Sequence, residues 1–347
     1  MTAIPALPSL PEHRLSIVIP LYNEELCVAP MVERVHECLA DYPWPWELIF
    51  VDDGSRDDTL KAIHKAIVER GSHIRCVELA RNFKQTAAMQ AGIDAAEGDV
   101  IVTLDGDLQN DPVDIPRMVA RLLNEDLDLV AGWRKNRQDG LWLRKIPSRI
   151  ANRLIGRVTG LRLHDYGCSL KAFRGEVIKS VRLYGEMHRF IPAWLATVTS
   201  PRRIDEEPVS HHPRTLGESK YGISRTFRVI LDLLSVYFFL RFRDRPGHFF
   251  GGAGLALIAA GSGILGYMAI LKLLGESIGS RPLLMLGFFV LLGGLQCILT
   301  GVLAENLSRV YLGGGGNGGS YVRRYRKGNS LESSWHQGQQ HPESIKQ

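Results

Sequence analysis

Two acidic clusters in this chain have the residue types and the spacing to hold a hard cation. One is Asp52, Asp53, Gly54 and Ser55; the other is Asp105, Gly106, Asp107, Leu108 and Gln109. Carboxylates separated by one glycine offer oxygen ligands to Mg2+ or Mn2+ and leave the remaining positions to water and substrate phosphates, an arrangement that suits these ions better than zinc. Taken alone, either cluster reads as readily as a turn or a helix N-cap, since Asp and Ser satisfy free backbone N–H groups there. Cysteine zinc chemistry is excluded: Cys27, Cys38, Cys76, Cys168 and Cys297 are scattered and form no CxxC pair, which also argues against a disulfide framework and for a reducing compartment.

The elements that must position these acids alternate. LSIVIP from Leu15, WELIFVDD from Trp46, IRCVELA from Ile74, DVIVTLD from Asp99 and LDLVAGW from Leu127 are short β-branched runs separated by amphipathic stretches, the pattern of βαβ units and a mostly parallel α/β sheet. In such sheets ligands bind beyond the carboxyl ends of the strands. Three of the five ends carry acids, and two acidic motifs at neighbouring ends favour the metal over the turn. The first run ends in Pro20, Leu21, Tyr22, Asn23, Glu24 and Glu25 without a glycine, so it lacks the close backbone approach that a dinucleotide pyrophosphate needs. Gly313, Gly315 and Gly318 match GxGxxG only formally, inside the string GGGGNGGS, and read as a flexible linker. No GxxxxGK[ST] loop occurs.

At 347 residues the chain is long enough for about two units at roughly 150 residues each. Phe249 to Leu271 and Pro282 to Ala304 are each 23 residues without a charge, long enough to span a bilayer, and are expected to form a transmembrane hairpin. Arg241, Arg243 and Arg245 precede the first, and Arg309, Arg323, Arg324, Arg326 and Lys327 follow the second, which places both flanks in the cytoplasm by the positive-inside rule. MTAIPALPSLPEHR lacks the charged-then-apolar order of a signal peptide and is expected to be a loose leader.

Arg134, Lys135, Arg137, Arg144, Lys145, Arg149, Arg153, Arg157 and Arg162 face the single acid Asp139, a net +8 over 29 residues. Leu143, Ile146, Ile150, Leu154 and Val158 recur at helical spacing, so the stretch reads as a basic amphipathic helix for an anionic membrane surface or a lipid phosphate. Nucleic acid is disfavoured, because aromatics for base stacking are not interleaved with the charges. Ile223 to Leu240 is a second amphipathic segment leading into the first span.

The set IVIPLYNEE, VDDGS, RNF at Arg81 to Phe83 and LDGDLQNDP strongly resembles the family 2 glycosyltransferases of the GT-A fold, the branch that charges polyprenyl phosphates. GWRKNRQDG, RKIPSRIANRLIG, DYGCSLKAFR and GESKY resemble the undecaprenyl-phosphate 4-deoxy-4-formamido-L-arabinose transferases more than the dolichol-phosphate mannose or glucose enzymes. The resemblance covers about Leu15 to Ala304. The chain departs from it at Lys84, where relatives have glycine after RNF.

The resemblance implies a GT-A (Rossmann-like) catalytic domain over 15–222 after a leader over 1–14, an interfacial helix and linker over 223–247, two membrane helices over 248–305 and a Gly-rich basic tail over 306–347. It implies that Pro20, Tyr22, Glu24, Asp52, Asp53 and Asp105 cradle the nucleoside, and that Asp105, Asp107 and Gln109 meet the diphosphate and its Mg2+ or Mn2+. Arg134, Arg137, Arg144 and Lys145 are assigned to the acceptor phosphate, and Lys220 and Tyr221 to a donor or active-site lid. Asp165 is left two roles, a base or orienter at the acceptor and a carboxylate that positions an arginine. A polyprenyl monophosphate is already mostly a dianion near neutral pH and needs little base help. The implied reaction is inverting transfer from a UDP-sugar to undecaprenyl or a similar polyprenyl phosphate, by an inner-membrane homo-oligomer, a tetramer in relatives. The alternatives are a hexosyltransferase of the same branch, a processive polysaccharide synthase, whose QxxRW motif is missing, and a silent membrane scaffold, against which the intact acids argue.

Overall fold

The computed structural model describes residues 10–135, 156, 159–183, 185, 187–213, 238, 241–242, 246–279, 281–313, 324–327 and 330–333. The chain divides into two compact units, Met1–Tyr237 with Gly319–Gln347, and Phe238–Gly318.

The first unit is built on seven strands, β1 (Leu15–Leu21), β2 (Trp46–Asp52), β3 (Ile74–Glu78), β4 (Val100–Thr103), β5 (Leu129–Trp133), β6 (Lys171–Arg174) and β7 (Ile204–Pro208), in the order β3-β2-β1-β4-β6-β5-β7. All pairings are parallel except those of β6, which runs antiparallel to both β4 and β5. Helices α1 (Glu25–Cys38), α2 (Thr59–Arg70), α3 (Gln85–Ala95) and α4 (Ile115–Asn124) are the crossovers, followed by the short α5 (Gly175–Lys179) and α6 (Ile191–Leu195). The consecutive β1 residues Leu15, Ser16, Ile17, Val18 and Ile19 are all fully buried, as in a sheet covered on both faces. α1 buries Cys27, Val28, Met31, Val32 and Val35, and α4 buries Ile115, Met118, Val119 and Leu122, each the stripe of a helix lying on a core.

The five β-branched runs are the first five strands. β6 and β7 have weaker sequence signals, because KAFR is only four residues long and IDEEP is acidic and ends in proline, which a sheet tolerates at an edge. β7 is an edge strand. Chain order runs outward from β1 through β2 to β3, then crosses back to place β4 on the other side of β1. The carboxyl ends of β1 and β4 therefore flank the topological switch point, where open α/β sheets bind ligands.

The second unit contains α7 (Pro246–Leu273) and α8 (Pro282–Gly313). Each begins with proline, whose missing N–H costs nothing at a helix start. Their apolar windows are only 17% and 11% buried, whereas core helices of a soluble domain are mostly covered. Leu255, Leu273, Phe289 and Val310 are exposed. Both helices are long enough to cross a bilayer, and they pack through small residues: a Cβ on Gly254 would lie 2.8 Å from the Gly294 carbonyl oxygen, and one on Gly261 would lie 2.7 Å from the Leu291 nitrogen. Close approach through glycine is how helices associate where lipid removes the hydrophobic drive. α8 continues to Gly313. In the tail, Arg324–Lys327 pairs antiparallel with Ser330–Ser333.

Candidate active site

The ends of β1 and β2 are interlocked by the residues that follow them. Asp53 donates its N–H to the Leu21 carbonyl at 2.9 Å, and the Asp52 carboxylate accepts from the Ser55 N–H at 3.2 Å. Asn23 donates its N–H to Ser55 Oγ at 3.0 Å and accepts at Oδ1 from the Arg56 N–H at 2.8 Å. The Glu24 N–H donates to Thr59 Oγ1 at 2.9 Å. Pro20, Tyr22, Glu24, Asp52 and Asp53 thus share one rim of the sheet. Asp52 and Asp53 are buried.

Asp53 also holds the loop that precedes α3. Its Oδ1 accepts from the Phe83 N–H at 2.7 Å. Burial raises its carboxyl, and the Phe83 and Lys84 N–H groups oppose that shift. Gly54, at φ +66, sits against this loop, and a Cβ there would lie 2.5 Å from the Arg81 carbonyl carbon. Lys84 has φ 73 and ψ 165, a conformation occupied almost only by glycine and costing another residue about 1–3 kcal/mol. Glycine would take this backbone without strain; here the position carries a cation instead.

The turn after β4 lies beside β1. A Cβ on Gly106 would lie 2.1 Å from Leu21 Cδ2, so any larger residue there would have to displace the end of the Leu21 side chain that packs against this turn. Asp105 Oδ1 accepts from Gln85 Nε2 at 2.6 Å. Burial first, and then the charge of Asp107, push the Asp105 carboxyl up to about 6. Crowded carboxylates with only oxygen donors are what a divalent ion relieves, so the residues fit Mg2+ or Mn2+. Asp107 Oδ1 accepts from the Gln109 N–H at 3.2 Å, across Leu108 at φ 60. The Gln109 carbonyl accepts from the His212 N–H at 2.7 Å, and Asp111 takes a two-pronged contact from Arg34 at 2.9 and 3.0 Å. The turn is held from both sides. His64, Cys76 and Glu78 also bring ligand atoms within 4.8 Å of one another, but burial pushes the Cys76 thiol up to about 12, and a protonated thiol is a poor metal ligand.

Because β6 is antiparallel, its first residue lies beside the carboxyl ends of β4 and β5: Lys171 is in register with Thr103 and Ala131. Lys171 is almost fully buried and donates to the Cys168 carbonyl. Burial pushes its ammonium down, and Asp165 and Asp105 oppose that. Asp165 grips Arg134 through Arg134 Nε at 2.7 Å and Nη2 at 3.0 Å, and both side chains are 14% exposed. This is the geometry of a carboxylate that positions an arginine, the second of the roles left open for Asp165. Sequence reasoning singled out neither Lys171 nor Gln85. The available signal for Lys171 was a lysine between Leu170 and Ala172 in an apolar run. Arg137, Arg144, Lys145, Lys220 and Tyr221, with most of the two amphipathic segments, lie outside the described residues.

Residues 16–182 match the model of glycosyl transferase family 2. The chain is 60% identical over 298 residues to the dodecaprenyl-phosphate galacturonate synthase of Rhizobium johnstonii, covering 86% of this chain and 88% of that protein. It is 37% identical over 304 residues to the undecaprenyl-phosphate 4-deoxy-4-formamido-L-arabinose transferase of Salmonella choleraesuis, covering 87% and 90%. Glucosyl-3-phosphoglycerate synthase from Mycobacterium tuberculosis, solved with Mn2+ and UDP, superposes over 65% of this chain and 80% of that one at 20% identity and a TM-score of 0.49. With the sheet, the acid-bearing strand ends and relatives of this identity and coverage, the chain belongs to glycosyl transferase family 2.

Proposed function

We propose that this glycosyltransferase moves a uronic acid, galacturonate in the first instance, from UDP to a polyprenyl phosphate in a single inverting displacement. The observation that carries the reading is the 60% identity to a polyprenyl-phosphate galacturonate synthase over nearly the whole of both chains, and the acidic strand ends are of a kind that suits a nucleoside diphosphate with its cation. The same comparison favours a uronate over the 4-formamido-4-deoxy-L-arabinose of the 37% identical relatives.

An oxygen of the acceptor phosphate attacks the anomeric carbon, the bond from that carbon to the diphosphate breaks, and UDP leaves with the electron pair. Asp52 and Asp53 fix the nucleoside end of the donor, and Asp105, Asp107 and Gln109 face its diphosphate. A divalent ion held by Asp105 and Asp107 would supply electrostatic stabilisation of the departing UDP. No protein base is needed, since the acceptor is a dianion. Arg134, set by Asp165, and the basic residues Arg137, Arg144 and Lys145 take the acceptor phosphate.

Purified full-length protein incubated with Mn2+, undecaprenyl phosphate and a panel of UDP-sugars should yield one lipid product, whose mass reports the sugar. Transfer of galacturonate is the expected result, and the double change of Arg137 and Arg144 to alanine should raise the acceptor KM about tenfold or more. A panel without any polyprenyl-phosphate product overturns the reading.

We further propose that the catalytic unit and both ends of the hairpin are cytoplasmic, on the inner membrane, because the arginines flank both spans on one side. A membrane-impermeant thiol reagent should label an engineered cysteine at Ser277 in intact cells and leave one at Ser330 untouched. The reverse pattern inverts the topology.

A further inference from the structure

We propose that Lys84 is the specificity-determining residue for an acidic donor sugar, its ammonium receiving the carboxylate of a nucleoside diphosphate hexuronate. The inference rests on the uronate reading above and assigns it to one side chain.

The first support is the backbone. At φ 73 and ψ 165 Lys84 occupies a region that side chains avoid, and such outliers persist where the surroundings over-determine them and the side chain or the strained geometry is used. The surroundings here are explicit. The preceding residue, Phe83, donates its N–H to Asp53 at 2.7 Å, Lys84 adds its own N–H to that carboxylate, and the next residue, Gln85, donates its side-chain amide to Asp105 at 2.6 Å. Lys84 is therefore anchored between the acid at the end of β2 and the acid at the end of β4, between the nucleoside and diphosphate ends of the donor. Glycine would satisfy every one of these backbone contacts without strain. What lysine adds is a cation on a long stem.

The second support is charge. The rim carries Asp52, Asp53, Asp105 and Asp107, and a uronate entering it brings one more negative charge than the diphosphate and its cation already account for. Among the described residues near the rim, Arg134 is paired with Asp165, Lys171, almost fully buried, donates to the Cys168 carbonyl, Arg81 lies over the Phe83 ring at 4.8 Å and Lys135 over the Trp133 ring at 5.6 Å, while exposed Arg56 follows the β2 turn on the side of Asn23. Lys84 is exposed and has no ion pair among the described residues. A compact ammonium is well suited to meet a single carboxylate from variable directions.

The test is Mn2+-dependent binding of UDP-galacturonate and UDP-galactose, which differ only in a carboxylate against a hydroxymethyl, to detergent-solubilised full-length protein without acceptor. The wild type should prefer the uronate. Lys84→Gly and Lys84→Gln should each lower that preference about tenfold or more, the scale of losing one charge-assisted contact, while UDP itself binds within about twofold of wild type. Lys84→Arg should retain most of the preference. Lys84→Gly should also raise the thermal midpoint by a few degrees, because it relieves the backbone. Equal weakening of UDP, UDP-galactose and UDP-galacturonate would make Lys84 a diphosphate ligand and overturn the proposal. An unchanged preference in both variants would overturn it too. A wild type that binds the two sugars equally refutes the uronate reading itself, whereas failure of transfer to polyprenyl phosphate with the preference intact refutes only the acceptor.

Discussion

Asp107→Asn should cut sugar transfer by about a hundredfold to a thousandfold, the scale on which single electrostatic stabilisers of a leaving group act. Asn keeps the shape and the contact with the Gln109 N–H while removing a charge, so the folded protein should purify like wild type. The loss should appear in kcat with Mn2+ saturating and should be larger with Mn2+ limiting. The wild type provides its own control. With the Asp105 carboxyl pushed up to about 6, protons compete with the metal in the acid range. Protonated Asp105 cannot ligate, so metal affinity should be full near pH 8 and fall about tenfold by pH 5. Calorimetric Mn2+ titrations at these two pH values measure it. Normal turnover by Asp107→Asn, or full wild-type activity in EDTA, removes the metal from the reaction.

Asp165→Ala should destabilise the catalytic unit by about 3–5 kcal/mol, because it strands the Arg134 guanidinium in a site where both partners are 14% exposed. Most of that cost belongs to the orphaned charge, not to the ion pair, so removing both partners should cost less than the two single changes added together. Chemical unfolding of Asp165→Ala, Arg134→Ala and the double variant closes the cycle. Asp165→Asn separates the roles: as a positioner of Arg134, Asp165 should show its main effect on the acceptor KM, with the pH profile of kcat unmoved. An Asp165→Ala protein with an unchanged unfolding midpoint, no coupling to Arg134 and lost turnover would instead place Asp165 at the chemistry.

Much of this protein is fixed by local pattern. The β-branched runs ending in PLYNEE, DDGS and DGDLQ specify strands and put the acids at their carboxyl ends, because side-chain alternation and turn chemistry act over a few residues. The two uncharged 23-residue stretches identify membrane-length helices for an equally local reason, since every residue of a span meets the same solvent. Which strand ends become neighbours is a different kind of fact. It depends on the crossover that returns β4 to the side of β1, and on Gly106 packing against Leu21.

The other half of the site depended on tertiary structure outright. β6 is a four-residue strand with little propensity of its own, and its antiparallel insertion between β4 and β5 carries Lys171 to the rim and leaves Asp165 to grip Arg134, 31 residues away in sequence. Nothing in the spacing of DYGCSLKAFR decides whether Asp165 meets a substrate or an arginine. Lys84 shows the same division in one residue. The sequence presents a lysine at position 84, but only the folded chain reveals a backbone conformation that glycine would adopt more easily. Asp53, just beyond β2, holds the Phe83 and Lys84 N–H groups, and Asp105, just beyond β4, holds the Gln85 side chain, through hydrogen bonds that no local rule encodes.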